Sequence, residues 1–336
     1  MTVVGPFGLS VRDQALEAEV HNGLSAVETG LVEATKSDVP FITEAAQHLV
    51  RAGGKRFRPL LVLLAAQFGD AHAPGVVPSA VVVELTHLAT LYHDDVMDEA
   101  DVRRGVPSAN ANWDNSVAVL TGDFLFARAS HVLADLGPEA VRIQAEAFER
   151  LVTGQILETA GPREGQDPID HYRDVIAGKT GSLIAVAGRF GALMSGADER
   201  AVSVLTQYGE RIGTAFQLAD DVLDVASDSH ESGKTPGTDL REGIPTLPVL
   251  HLRSMASRGG SAADLALCGL LDGDLTDDAR LADALAGLRA HPALELARRD
   301  TVQCAEQARE ILTPLPPGPA KDALSALCDA VVHRAG

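Results

Sequence analysis

The sequence predicts an all-α fold, and two observations carry that prediction. Apolar residues recur at helical spacing through almost the whole 336-residue chain, and no stretch alternates apolar with polar side chains as a half-buried strand would. The composition is 46% apolar but only 4% aromatic. The core is therefore built mainly of Ala, Leu and Val, which suits helices packed at close approach.

Taken in order, the periodic segments predict helices over residues 12–36, 40–52, 58–69 and 76–98. They continue over 115–135, 138–159, 168–177, 179–195 and 198–225, and then over 245–257, 262–271, 277–290, 292–313 and 318–334. Glycine and proline mark the breaks: Gly53-Gly54, Ala73-Pro74-Gly75, Gly161 to Pro168, Ser227 to Gly243, Arg258 to Gly260, and Pro314 to Pro319. Residues 1–10 read as a loose N-terminal segment. None of the breaks is long or distinct enough for a flexible linker, so one domain over 1–336 is expected. No fixed repeat period runs through the chain.

The formal charge of −19 argues against nucleic acid as a partner, which would need a basic face. It leaves room for a small phosphorylated substrate held by a local basic cluster. Cys268, Cys304 and Cys328 are sparse, odd in number and without metal-ligand spacing, as expected for a reducing cytoplasm. The N-terminus lacks the pattern of a signal peptide, and no consecutive apolar run approaches the length of a membrane span.

Two acidic clusters share one spacing. Asp94-Asp95-Val96-Met97-Asp98 and Asp220-Asp221-Val222-Leu223-Asp224 both sit in apolar, helix-patterned stretches. Residues four apart share a helix face, so Asp94 pairs with Asp98 and Asp220 with Asp224. Val83, His87, Thr90, Asp94 and Asp98 fall along one stripe. Carboxylates at a helix C-terminus work against the macrodipole and need a compensating cation. Hard oxygen donors of this kind suit Mg²⁺, which is held by a few carboxylates together with substrate phosphates. A solvated acidic face would account for one such cluster more readily than for two.

Basic residues lie nearby. Gly53-Gly54-Lys55-Arg56-Phe57-Arg58-Pro59 puts three cations within four positions at a predicted helix start, a natural anion site, although the P-loop spacing is absent. Arg103 and Arg104 follow the first cluster and could fork onto diphosphate oxygens or simply pair with Glu99 or Asp101. Lys179-Thr180 opens an apolar helix, and Lys234 lies in a glycine-containing stretch. Each could also be a solvated loop residue. Gln217 is one turn before Asp220, and His87 is two turns before Asp94.

In this order the motifs resemble the trans-isoprenyl diphosphate synthase, or polyprenyl synthetase, family from about residue 40 to the end of the chain. The resemblance rests on the Gly53–Pro59 turn, Leu91-Tyr92-His93 running into the first acidic cluster, and Arg103-Arg104-Gly105. It rests further on Gly122-Asp123-Phe124-Leu125, Lys179-Thr180-Gly181-Ser182, and Phe216-Gln217-Leu218-Ala219 running into the second cluster. It implies an isoprenoid synthase helical bundle around a deep central cavity, acting as a homodimer. The implied reaction is Mg²⁺-dependent, head-to-tail condensation of isopentenyl diphosphate onto an allylic diphosphate such as farnesyl diphosphate.

By the same resemblance, Asp94 and Asp98 hold two Mg²⁺ with Asp95 in support. Asp220 holds a third, with Asp221 and Asp224 in the same set. Arg103, Lys179 and Lys234 contact the allylic diphosphate, and Thr180 and Gln217 lie beside the developing cation. Gly54, Lys55, Arg58, His87 and Arg104 hold isopentenyl diphosphate. Many members carry a lysine where this chain has Ile244, which removes any second lysine contact there.

Product length follows from the depth below the first cluster. Thr86, Ala89 and Thr90 are small where short-chain members place aromatics, so the floor is open. The run His87 to Asp95 resembles long-chain members. A product of about heptaprenyl to nonaprenyl size, of the kind that becomes a quinone tail in a membrane, is expected. Geranylgeranyl diphosphate synthase is the alternative within the family. A terpene cyclase would have no use for Lys55, Arg58 or the full second cluster. A non-catalytic subunit would be expected to lack one or both clusters. Replacing Ala89 or Thr90 with Phe is expected to shorten the product by one or more isoprene units, as read by mass analysis. An unchanged product distribution would refute the open floor.

Overall fold

The computed structural model describes residues 13–227 and 236–335, and the fold is all-α. The helices are α1 (Gln14–Ala34), α2 (Pro40–Arg51), α3 (Phe57–Ala66), α4 (Val76–Met97), α5 (Ala109–Asn112), α6 (Asn115–Leu136), α7 (Pro138–Ala160) and α8 (Pro168–Ile176). A π-helical turn over Ala177–Gly181 leads into α9 (Ser182–Met194) and α10 (Glu199–Ala226). The chain continues through α11 (Thr238–Arg241), α12 (Leu247–Ser257), α13 (Ala262–Leu271), α14 (Asp278–Ala290), α15 (Pro292–Ile311) and α16 (Pro319–Ala335). The expected loose segment 1–10 lies outside the described residues.

Local chemistry explains many of these boundaries. Asp13, Asp114, Asp167 and Asp277 each accept a backbone N–H in the first turn of the helix that follows. Pro40 and Pro168 occupy first-turn positions where no N–H is needed. Ser261 and Asp264 form a reciprocal capping box on α13.

Periodicity predicts no strand, and the structure adds one short ribbon. Val102–Arg103 (β1) pairs antiparallel with Val106–Pro107 (β2), with Arg103 opposite Val106. Two residues per strand are too few to print an alternating pattern. The helix expected from residue 179 begins at Ser182, because the π-helical turn takes up the preceding five residues.

The chain forms two compact units. The first comprises residues up to Glu149, Ser182–Glu210 and Ile311–Ala326. Here α4 packs on α1, α3, α6 and α9, and α3 packs on α9. Almost all of α3 is buried, as are Val81, Val82, Val83, Leu85, Leu88, Ala89 and Tyr92 of α4. The Tyr92 hydroxyl ties α4 to α2, donating to the Ala45 carbonyl at 2.6 Å and accepting from the Leu49 N–H at 3.3 Å. The second unit comprises Arg150–Gly181, Arg211–Glu310 and the end of the chain from Leu327. Within it α12 packs on α8 and α13, and α13 on α14.

Among the described residues, α6 is long and apolar enough to cross a membrane by length and composition alone. Counting consecutive apolar residues misses it because Gly122, Asp123 and Arg128 interrupt the run. It behaves as a core helix on one side, packing along α4. Its Arg128 Nε donates to the Ala34 carbonyl at 2.5 Å.

Close approach in the first unit depends on glycine at Gly191. A Cβ there would collide with the Val62 carbonyl of α3 and lie 2.7 Å from the Ala65 Cβ. Gly191→Ala is expected to cost ~1–3 kcal/mol by overpacking. Gly269→Ala, in a helix position with open space around it, is expected to be neutral or stabilising by up to ~1 kcal/mol. Urea midpoints of the two variants compare these outcomes directly.

Candidate active site

Within the first unit, the turn after α2 sets up a cationic station. Gly53 and Gly54 have φ of +83° and +153°, and Arg56 is left-handed at φ +49°. A non-glycine residue holds that conformation only when its surroundings fix it. They do: Arg56 Nε and Nη2 donate to Glu28 at 2.5 and 3.1 Å, and Nη1 donates to Glu84 at 2.9 Å. Further donations reach the Val50 and Gly53 carbonyls at 3.0 and 3.4 Å. Burial opposes the Arg56 charge, but the Glu28 hydrogen bond and the Glu84 charge outweigh it and raise its pKa. Arg56 is thus a clamp for the turn, and it sets the place of its basic neighbours.

Those neighbours are Lys55, which is exposed, and Arg58, whose buried Nε has no hydrogen-bond partner. Burial lowers the Arg58 pKa to about 10, with Glu84 opposing and Arg104 reinforcing the shift. His87 of α4 faces the same cations. Burial, followed by the charges of Arg58, Arg104, Arg103 and Arg56, holds its pKa well below the ordinary value. His87 is therefore neutral at pH 7 and offers a hydrogen bond without a charge.

The small ribbon divides the two adjacent arginines. Arg104 and Gly105 both have positive φ, at +56° and +77°, which fits a two-residue turn of the I′ kind between β1 and β2. Arg103 is the last residue of β1 and Arg104 the first of the left-handed turn, so the backbone changes conformation between them. Arg103 accordingly reaches the acidic cluster, with Nε donating to Asp95 at 2.5 Å and Nη2 4.0 Å from Asp98. Arg104 goes the other way, donating to the Gly53 carbonyl and, at 3.1 Å, to the Leu49 carbonyl. A Cβ on Gly54 would lie 2.8 Å from the Arg104 Cζ, so glycine is what lets that guanidinium settle over the turn.

The first acidic cluster closes α4, with Asp98 as its C-cap. Asp95 is buried and points inward to Arg103, and burial raises its pKa against the pull of that arginine. Asp94 and Asp98 are more open. Behind them, Ala89 and Thr86 are buried and Thr90 is partly exposed. The Thr86 hydroxyl accepts from Gln144 Nε2 of α7 at 2.9 Å, and the buried Gln144 Oε1 has no partner.

In the second unit, the π-helical turn carries Lys179 and Thr180. A Cβ on Gly154 of α7 would lie 2.5 Å from the Lys179 backbone N, so α7 and the turn touch backbone to backbone. π-Helical turns are enriched at functional sites. Lys179 Nζ pairs with Glu158 at 2.6 Å. A relay follows: Thr180 Oγ1 donates to Gln217 Oε1 at 3.1 Å, and Gln217 Nε2 donates to Asp221 Oδ1 at 3.1 Å. The Tyr172 hydroxyl donates to Asp221 Oδ2 at 2.5 Å.

The second cluster's carboxylates are held in three different ways. Asp221 is buried, and burial pushes its pKa up to about 7 despite Tyr172. Asp224 accepts from the Thr238 and Asp239 N–H groups at 3.2 and 3.3 Å, at the start of α11. Asp220 pairs with Arg334 of α16 at 2.7 Å, and that guanidinium lies 4.7 Å from the Phe216 ring centre. Lys234 lies outside the described residues.

Sequence reasoning missed Glu28, Glu84, Gln144, Glu158, Tyr172 and Arg334. Glu84 had a readable signal, since it interrupts the apolar run Val81-Val82-Val83 three residues before His87. The others carry none, because their partners are distant in sequence. Among the described residues no three Asp, Glu, His or Cys side chains gather as a ready-made metal cage.

Residues 39–267 match the family model for polyprenyl synthetase. The chain is 48% identical over 330 residues to a nonaprenyl diphosphate synthase of Mycobacterium tuberculosis (strain ATCC 25618 / H37Rv), covering 98% of this chain and 97% of that protein. Among solved structures it is similar to a Corynebacterium glutamicum geranylgeranyl pyrophosphate synthase complexed with calcium and isoprenyl diphosphate. That match has TM-score 0.85 and 43% identity, and it covers 96% of this chain and 98% of the other. It is also similar to a decaprenyl diphosphate synthase from Rhodobacter capsulatus, with TM-score 0.86, 37% identity and coverage of 96% and 99%. With two acidic clusters, a clamped cationic turn and this extent of likeness, the chain belongs to the polyprenyl synthetase family.

Proposed function

We propose that the chain is an (all-E) polyprenyl diphosphate synthase of long-chain type, joining isopentenyl diphosphate to an allylic diphosphate such as farnesyl diphosphate. The observation that carries this reading is the ribbon that sends Arg103 to the acidic cluster and Arg104 to the Gly53 turn. Two anion stations are needed to join two diphosphates, whereas cyclising one substrate needs a single station.

Asp94 and Asp98, with Asp220, supply hard oxygen donors for Mg²⁺, three ions in this reading. Asp95 and Asp221, both buried, steady their helices, and Asp224 holds the start of α11. Bound Mg²⁺ neutralises the leaving diphosphate. Arg103, Lys179 and Lys234 hold the allylic diphosphate at its oxygens. Gly54, Lys55, Arg58, Arg104 and neutral His87 hold the second diphosphate. Thr180 and Gln217, fixed by their mutual hydrogen bond, present oxygen dipoles to the positive charge that develops as the allylic C–O bond breaks. The double bond of isopentenyl diphosphate attacks that carbon, and a proton leaves to the released diphosphate. Apolar side chains exclude water that would quench the cation.

Small side chains at Thr86, Ala89 and Thr90 support a long product, and so does the resemblance of the His87–Asp95 run to long-chain members. One folded domain over the whole chain and a cytoplasmic site of action complete the reading. Exposed Val119 and Leu120 on α6 and Val141 on α7 support a homodimer, since α6 is about one third buried in a single chain.

Mass analysis of products made by the isolated chain from isopentenyl and farnesyl diphosphates tests the activity. Chains longer than geranylgeranyl are expected. Geranylgeranyl diphosphate alone would select the shorter synthase, and a cyclic hydrocarbon or no product would reject both. Asp94→Asn is expected to lower kcat in that assay by about 100-fold or more, the scale of losing a preorganised contact to developing charge. Leu120→Asp is expected to move the mass seen by light scattering from dimer towards monomer.

A further inference from the structure

Glu84 is the only Asp, Glu, Lys or Arg of α4 before Asp94. It lies among buried valines and leucines and is itself 2% exposed. A carboxylate so placed persists only if cations satisfy it. Its Oε1 accepts from Arg56 Nη1 at 2.9 Å and lies 3.8 Å from Arg104 Nη2. Its charge also acts on Arg58. Three guanidinium groups thus converge on Glu84, with Glu28 acting from the other side of Arg56. The buried Arg58 Nε has no hydrogen-bond partner. Glu28 bonds Arg56 from the half-exposed side, at the far end of the same fork.

We propose that Glu84 is a positioning residue for the second diphosphate: it does not touch the substrate, but it anchors Arg56 and draws Arg104 inward, aiming Arg104 and Arg58 at one anion. The inference rests on the reading of this turn as the isopentenyl diphosphate station. A carboxylate beside the anion would weaken binding if it faced the ligand. Glu84 is buried at 2% exposure against Arg56 and beside Arg104, so its charge holds those groups without itself being exposed to a ligand. Glu28 holds the same clamp and forms no ion pair with Arg104 among the described residues, acting on it only through a weaker charge than that of Glu84, so the two carboxylates differ chiefly in aiming.

The test compares Glu84→Gln with Glu28→Gln in the full-length chain, with KM for each substrate measured separately. Glu84→Gln is expected to raise KM for isopentenyl diphosphate by roughly ten-fold, as when the partner orienting a binding group is removed. KM for farnesyl diphosphate should change by less than about two-fold, and Glu84→Asp should recover part of the loss. Glu28→Gln should lower the melting temperature and raise the isopentenyl diphosphate KM by clearly less than Glu84→Gln does. In an Arg104→Gln background the Glu84→Gln effect should disappear. Equal shifts for both substrates, equal shifts in the two carboxylate variants, or full additivity with Arg104→Gln would overturn the proposal. If Glu84→Gln fails to fold, Glu84→Asp with and without Arg104→Gln gives the same decision. Arg58→Ala checks the station itself: an unchanged isopentenyl diphosphate KM there would refute the underlying reading, not the role of Glu84.

Discussion

The Arg56 guanidinium is the interaction on which much of the first unit depends. One buried side chain meets Glu28 of α1, Val50 of α2, Gly53 of the turn and Glu84 of α4, and its own backbone starts α3. A buried guanidinium carries five donors and a permanent charge, so each neighbour must supply an acceptor. Satisfying them together fixes the left-handed φ of Arg56 and the path of the glycines before it. The residues on either side, Lys55 and Arg58, are thereby held in place beside a helix start. In a chain whose overall charge is −19, this pocket of concentrated positive charge is local and built by design of contacts, not by composition.

The second unit solves the opposite problem. Its acidic cluster places three carboxylates within five residues, and the fold keeps them from acting as one group. Asp221 is absorbed by Tyr172, Gln217 and burial, and Asp224 by backbone N–H groups at α11. Asp220 keeps company with a cation on α16. The same hydrogen bonds that hold Asp221 also orient Gln217 and, through it, Thr180. A short polar relay therefore links the cluster to the π-helical turn.

Most of the helical frame was legible in the sequence, because apolar spacing and glycine or proline breaks act locally. α6 and α13 start where the pattern puts them, and α4 ends within a residue of it. The β1–β2 ribbon was not legible, since two-residue strands carry no period. The π-helical turn depends on contact with Gly154, 25 positions away from Lys179. At the site, the identities of the acidic and basic residues were legible, but not their different fates. Nothing in Asp-Asp-x-x-Asp tells which carboxylate turns inward. That depends on Arg103 for Asp95 and on Tyr172, 49 residues away in sequence, for Asp221.

The two-residue turn at Arg104-Gly105 has a consequence for how this segment can evolve. Arg103 ends β1 and Arg104 opens the turn, so their separate destinations depend on where the turn falls. Substitutions at Val102 or Val106 would keep that place. A single inserted or deleted residue would move the arginines off the strand end and the left-handed turn that separate them. The loop should therefore drift in composition while its length stays frozen, which is unusual for a surface connection.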